Sequence, residues 1–311
     1  MFYQINNGLK EIDINQIDED FITAGYVTCE ELEKYGAFFG FSDSTIESCR
    51  VANMHFRSGV EVYDNYTFTE LRIVNPFDKN GREDCVALYI KKNLIIVVDV
   101  EDYDGSTKDK FINAINRYSF QSATLEKVIY AFIDALISDD FRYIEDKGNE
   151  ITELEEDVLK ENTEDDFNLE LLQLKKGLLT MHNYYEQLLD ITDAIKENEN
   201  NIFAYEDLRY IANLGQKITR LREDTDSLSS SITHLQDAYS ASLDLKLNHT
   251  MKLFTVLTSI FFPLTLIVGW YGMNFQTMPE FAWRYGYIYV ITLSSIVVVT
   301  LTIIGKKRKW F

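Results

Sequence analysis

Leu253-Phe254-Thr255-Val256-Leu257-Thr258-Ser259-Ile260-Phe261-Phe262-Pro263-Leu264-Thr265-Leu266-Ile267-Val268-Gly269-Trp270-Tyr271 holds no charged residue and one proline, and a second uncharged run follows from Tyr285 to Ile304. A bilayer core roughly 30 Å thick takes about 20 helical residues, so each run is just long enough to cross. Either alone would also suit the buried helix of a soluble core; two back to back favour a pair of membrane spans. The start, Met1-Phe2-Tyr3-Gln4, has no basic region followed by an apolar one, so no signal peptide is expected. The chain reads as a multi-pass protein of the cell (inner or plasma) membrane, held in the lipid bilayer by residues 251–311.

Charge sets the expected orientation, because cationic residues near span ends stay on the cytoplasmic side. Lys252 precedes the first run and Lys306, Lys307, Arg308 and Lys309 follow the second, whereas the connecting segment offers only Arg284. Both termini are therefore expected in the cytoplasm. Beyond residue 250 one acid, Glu280, stands against six bases, a formal +5, which leaves −25 on the first 250 residues for the overall −20. So acidic a region disfavours nucleic acid as a partner. It suits attraction of cations, and equally a plain solvated surface.

Cys29, Cys49 and Cys85 show no CxxC spacing and read as reduced thiols; His55, His182, His234 and His249 are scattered and form no HExxH pattern. With no nucleophile motif and no phosphate-binding glycine loop, neither an enzyme nor an organic cofactor is expected.

Residues 1–118 mix short β-prone runs, such as Thr67 to Val74 and Leu94 to Val100, with turn signals at Asn75-Pro76, Asn80-Gly81 and Asp104-Gly105. Val86–Ile90 and Leu94–Val98 predict a hairpin of buried strands, and the region an α/β or α+β domain. From 119 to 250 proline is absent and apolar residues take helical spacing, as in Leu125, Ile129, Phe132, Ile133, Leu136 and Ile137. An acidic helical continuation to Glu161, a second helix through Leu169 to Ile195, and a turn at Asn198 to Asn201 follow. Ile211, Leu214, Ile218, Leu221, Thr225, Leu228, Ile232, Leu235 and Tyr239 then alternate steps of three and four, the seam of a helix in a left-handed bundle. No breaker follows, which predicts one helix from about Glu206 to Gly272, roughly 100 Å long. Such a helix needs partners, from its own chain or from other subunits.

The same helix face continues through Asn248, Met251, Phe254 or Thr255, Thr258, Phe262, Thr265 and Gly269, alternating bulky apolar with small or hydroxyl residues. In a bundle of like helices the bulky rings would gate by dewetting and the polar rings would carry water or hydrated ions. Small residues equally suit plain close packing of membrane helices. Directly after the first span comes Tyr271-Gly272-Met273-Asn274-Phe275, then Met278-Pro279-Glu280, and the chain closes on Lys306-Lys307-Arg308-Lys309-Trp310.

The Gly272-Met273-Asn274 tripeptide at this position, with Asn248, Met251-Lys252, Pro263-Leu264-Thr265, Gly269 and the basic tail, resembles the CorA family of divalent-cation transporters. The likeness over the first 200 residues is one of layout. The resemblance implies a funnel-like homopentamer: an N-terminal cytoplasmic α/β domain, a long helical stalk, and two C-terminal transmembrane helices, the first lining the pore. It implies that Asn274 forms a ring at the outer mouth, with Gly272 and Met273 shaping the selectivity filter. Asn248, Thr265 and Gly269 would line the pore and Met251 the gate. Phe254 and Phe262 depart from the aliphatic residues or methionine more usual in the family. Mg²⁺ is the implied cargo, with Co²⁺ or Ni²⁺ beside it, moving down its electrochemical gradient, and divalent ions bound to the cytoplasmic part would favour closure.

An amide ring suits Mg²⁺, which gives up its water reluctantly. Glu280 reads either as an outer-loop acid that attracts cations or as a loop acid without that role. Lys306, Lys307, Arg308 and Lys309 read as a collar at the pore entrance or as an ordinary membrane anchor. For the regulatory metal, Asp99, Glu101, Asp102 and Asp104 at a strand end are a candidate group among many solvated acids. A zinc-transporting relative is an alternative, and so is a membrane-tethered coiled-coil scaffold or signalling receptor without transport.

Overall fold

The computed structural model describes residues 1–6, 8–50, 59–78, 81–117, 123–160, 162–163, 166–273, 278 and 283–308. Its strands are β1 (Phe2–Ile5), β2 (Leu9–Ile12), β3 (Ile22–Thr28), β4 (Val60–Val62), β5 (Tyr66–Val74), β6 (Glu83–Lys91) and β7 (Leu94–Glu101). They form one sheet in the order β2-β1-β3-β7-β6-β5-β4. The β3–β7 pair is parallel and the others are antiparallel. The expected hairpin is β6–β7, with Ile90 opposite Ile95 and Asn93 at φ 56° in its turn. Asparagine tolerates that left-handed conformation at little cost.

The apolar runs are continuous because both sheet faces are covered. Val86, Leu88 and Ile90 face one core and the intervening Ala87 and Tyr89 the other. On the second face lie α1 (Cys29–Phe39) and α2 (Asp43–Ser48); Leu32 and Phe39 of α1, and Cys49 just after α2, join Phe41, Tyr66, Phe68 and Tyr89. Helix α1 starts at a reciprocal cap: Glu31 N–H donates to Thr28 Oγ1 at 3.3 Å and Thr28 N–H to Glu31 Oε2 at 3.0 Å.

The first face is covered by α3 (Ser106–Arg117), α4 (Leu125–Leu136), α6 (Phe167–Glu197) and the first part of α7 (Leu208–Tyr271); α5 (Asp140–Leu159) lies between α4 and α6 in sequence. Phe111, Phe132, Tyr184, Leu188, Ile211 and Ile218 are fully buried there. Each such side chain contributes about 1.5–3 kcal/mol by leaving water. The seam of α7 is buried at Ile211, Leu214, Ile218, Leu221, Thr225, Ile232 and Leu235. Thr225, the polar member, donates its hydroxyl to Leu221 O at 2.8 Å, so its own buried donor is paired.

By packing the chain divides into two compact units, Met1–Leu235 and Gln236–Phe311. Sequence character changes at 119 and 251 instead, because α4, α6 and the start of α7 share a core with the sheet despite their different composition. The second unit holds the remainder of α7 and α8 (Gly286–Lys307). Their apolar windows have mean hydropathies of 2.0 and 2.3 and are 6% buried, unlike the core helix of a soluble protein.

Candidate ion pathway and acidic cluster

Two faces of α7 are distinguishable within the second unit. Val256, Ser259, Ile260, Pro263, Leu264, Ile267 and Tyr271 are partly covered, and so on α8 are Val290, Leu293, Ser294, Val297, Val298 and Leu301. Both sets step by three and four, as for two helices that shield one another along one side. Asn248, Met251, Phe254, Thr258, Phe262, Thr265 and Gly269 are all exposed, on the opposite side of α7. At 100° per residue the two α7 stripes lie about half a turn apart.

The hydroxyls of this exposed face turn inward. Thr265 Oγ1 donates to Phe261 O at 2.9 Å and Thr255 Oγ1 to Met251 O at 2.8 Å, and Thr258 donates to Phe254 O. Their hydrogens are used by the helix, so each oxygen is left with lone pairs only. A hydrated cation presents water hydrogens outward, which is the complement of such acceptors. Pro263 has no N–H and frees the carbonyl of Ser259 from the helix ladder. Around Gly269, where a Cβ would meet nothing within 4 Å, Phe262, Thr265, Leu266, Trp270 and Met273 line an apolar recess of about 360 Å³.

Gly272 N–H closes the helix on Val268 O at 2.8 Å, and Met273 N–H reaches Trp270 O at 3.4 Å. Asn274 and Glu280 lie outside the described residues, as does Lys309 of the basic tail; Lys306, Lys307 and Arg308 are exposed at the end of α8.

In the first unit, carboxylate oxygens of Asp84, Asp102 and Asp104 lie within 4.8 Å of one another. Sequence reasoning singled out Asp102 and Asp104 but missed Asp84, and the Asp99 and Glu101 it named beside them are not in this group. Glu101 instead accepts from Tyr103 Oη, and the backbone oxygen of Asp99 accepts from Cys29 Sγ at 3.3 Å. The missing signal was strand register. Extending the hairpin back from Ile90 opposite Ile95 brings Asp84 to the end of β7, but a bulge at Cys85/Val86 shifts it to face the Asp102 side.

The three carboxylates also cap α3. Asp104 accepts from Ser106 N at 2.8 Å, Asp102 from Gly105 N at 2.9 Å and Lys108 N at 3.2 Å, and Asp84 from Thr107 Oγ1 at 2.9 Å. Burial pushes the Asp84 and Asp99 carboxyls up, with Asp102 adding repulsion to both, whereas the bonds from Ser106 hold that of Asp104 down. Cys29, Cys49 and Cys85 are free thiols; burial drives those of Cys49 and Cys85 up to about 12 and about 11.

An α/β domain whose long helix continues as the first of two helices long and apolar enough to cross a membrane is the architecture of a membrane-anchored protein. The model of the family described as CorA-like Mg²⁺ transporter protein matches residues 24–307, and the chain belongs to that family. Over 284 residues it is 30% identical to the cobalt/magnesium transport protein CorA of Thermotoga maritima, covering 90% of this chain and 79% of the relative. The fold matches the complete CorA magnesium transporter of Methanocaldococcus jannaschii with TM-score 0.81 at 18% identity, covering 100% and 98% of the two chains. The cytoplasmic domain of ZntB from Vibrio parahaemolyticus matches with TM-score 0.63 at 11% identity, covering 78% of this chain and 97% of that one.

Proposed function

We propose that this chain is one subunit of a homopentameric channel that passes hydrated Mg²⁺, with Co²⁺ or Ni²⁺ as further cargo, down its electrochemical gradient. The observation that carries this reading is the exposed face of α7 from Asn248 to Gly269, opposite the face shielded by α8, with hydroxyls that only accept. Asn274, following Gly272 and Met273, is the first contact of the hydrated ion at the outer mouth. Its amide oxygen accepts from the ion's water without a full charge that would trap the ion. Met251 and Phe254 form the apolar constriction, and Thr258, Phe262, Thr265 and Gly269 continue the path. Both termini face the cytoplasm in this reading, which the cationic residues Lys252 and Lys306 to Lys309 at the span ends support. Asp84, Asp102 and Asp104 hold a regulatory divalent ion that favours closure.

Full-length protein reconstituted in liposomes with a fluorescent Mg²⁺ reporter tests the reading. Wild-type protein is expected to pass Mg²⁺, and Asn274→Ala to lose at least tenfold of the flux while keeping its oligomeric state. Normal flux through Asn274→Ala removes the mouth assignment. Competition with Co²⁺, Ni²⁺ and Zn²⁺ in the same assay fixes the cargo, and a preference for Zn²⁺ overturns the magnesium reading.

A further inference from the structure

A cleft of about 470 Å³ opens where α7 ends and α8 begins, and it is distinct from the exposed α7 stripe. Its lining includes Val268 and Val290, Tyr271 and Tyr287, and Arg284. Because both spans terminate here, the cleft lies at the level where hydrocarbon gives way to headgroups on the loop side of the membrane. Trp283, Tyr285 and Tyr289 cluster beside it, with ring centroids 6.3 and 6.0 Å from Trp283, as in the aromatic belts that mark this depth.

Arg284 is the one basic residue between Leu253 and Gly305. It is exposed and makes no hydrogen bond or ion pair among the described residues. A guanidinium at a lipid boundary is best satisfied by a bidentate phosphate oxygen pair. The lining brings together one cation, two tyrosines and two valines, which suit the phosphate, glycerol backbone and acyl chain of one molecule.

We infer that this cleft binds an anionic phospholipid, its phosphate on Arg284 and one acyl chain along Val268 and Val290. Inorganic phosphate lacks the apolar part and does not occupy it. A zwitterionic lipid binds less well, because its own cation offsets the attraction to Arg284. The inference is independent of the proposed ion pathway, since it concerns the side of the spans away from that face and is read without transport.

The test is thermal unfolding of the full-length protein in detergent with added phosphatidylglycerol, phosphatidylcholine or sodium phosphate, for wild type, Arg284→Gln and Val268→Phe. Phosphatidylglycerol is expected to raise the wild-type Tm by several degrees more than phosphatidylcholine, and phosphate to leave it unchanged. Arg284→Gln should abolish most of that preference, although the basic residues at the other span ends remain. Val268→Phe, which narrows the cleft, should weaken the response to both lipids. Equal responses of wild type to the two lipids overturn the inference. So does an undiminished preference in Arg284→Gln, as expected if a neighbouring subunit fills the cleft.

Discussion

The amide of Gly272 donates to the carbonyl oxygen of Val268 at 2.8 Å, and a Cβ built on Gly272 would stand 2.9 Å from that same backbone oxygen. Real Cβ atoms essentially never come so near, and backbone cannot swing aside as a side chain tip does. The first residue of the tripeptide is thus a steric requirement of the helix end. Gly272→Ala is expected to displace the end of α7 and to lower Mg²⁺ flux at least tenfold, with little change in the yield of folded protein. Flux within twofold of wild type contradicts it.

A second prediction concerns pH. Asp140 is fully buried at the start of α5; its Oδ2 accepts from Tyr185 Oη at 3.1 Å, while Oδ1 has no hydrogen-bond partner among the described residues. Burial raises its carboxyl to about 7, against the counteracting Tyr185 bond and the positive charge of Lys110. The folded state therefore holds this proton more tightly than the unfolded chain, whose carboxyl titrates near 4. The stabilisation is fully present below pH 4 and is lost as pH rises to about 7. At about 1.4 kcal/mol per unit the loss is a few kcal/mol. Half-buried Glu70, also raised to about 7, adds to the same trend. Thermal melts of the full-length protein should show Tm falling between pH 5 and 7. Asp140→Asn should flatten much of that slope and raise Tm at pH 8 relative to wild type; an unchanged slope refutes the assignment.

The sequence carried those features that repeat or alternate. The steps of three and four from Ile211 to Leu235 appear as the buried seam of α7, with Leu228 and then Tyr239 only partly covered, because a periodic stripe needs no knowledge of its partner. The hairpin of Val86–Ile90 and Leu94–Val98 was equally legible, since its strands are adjacent and its turn is local. The parallel pairing of β3 with β7, which sets Ala24 against Ile95, joins residues about 70 positions apart and has no local signature. Asp84 was missed for a related reason: its approach to Asp102 depends on a single-residue bulge. Asp140 stood in an acidic helix among similar residues, and only packing against Tyr184 and Tyr185 distinguishes it.

The last prediction separates the two readings of the small polar residues on α7. If Thr265 served close packing alone, its size would matter and its oxygen would not, and Thr265→Val, nearly identical in shape, would conduct normally. If its oxygen receives the water hydrogens of a passing ion, Val removes the acceptor while Ser preserves it. The hydroxyl hydrogen is committed to Phe261 O at 2.9 Å, so only the acceptor function faces outward. A lost hydrogen bond is worth about 1 kcal/mol, and about 1.4 kcal/mol is tenfold in rate, so Thr265→Val should lower flux about fivefold per interaction. Thr265→Ser should stay within twofold of wild type. Equal flux through Val and Ser variants in liposomes would leave Thr265 a packing residue and shift the polar lining to Asn248 and Asn274.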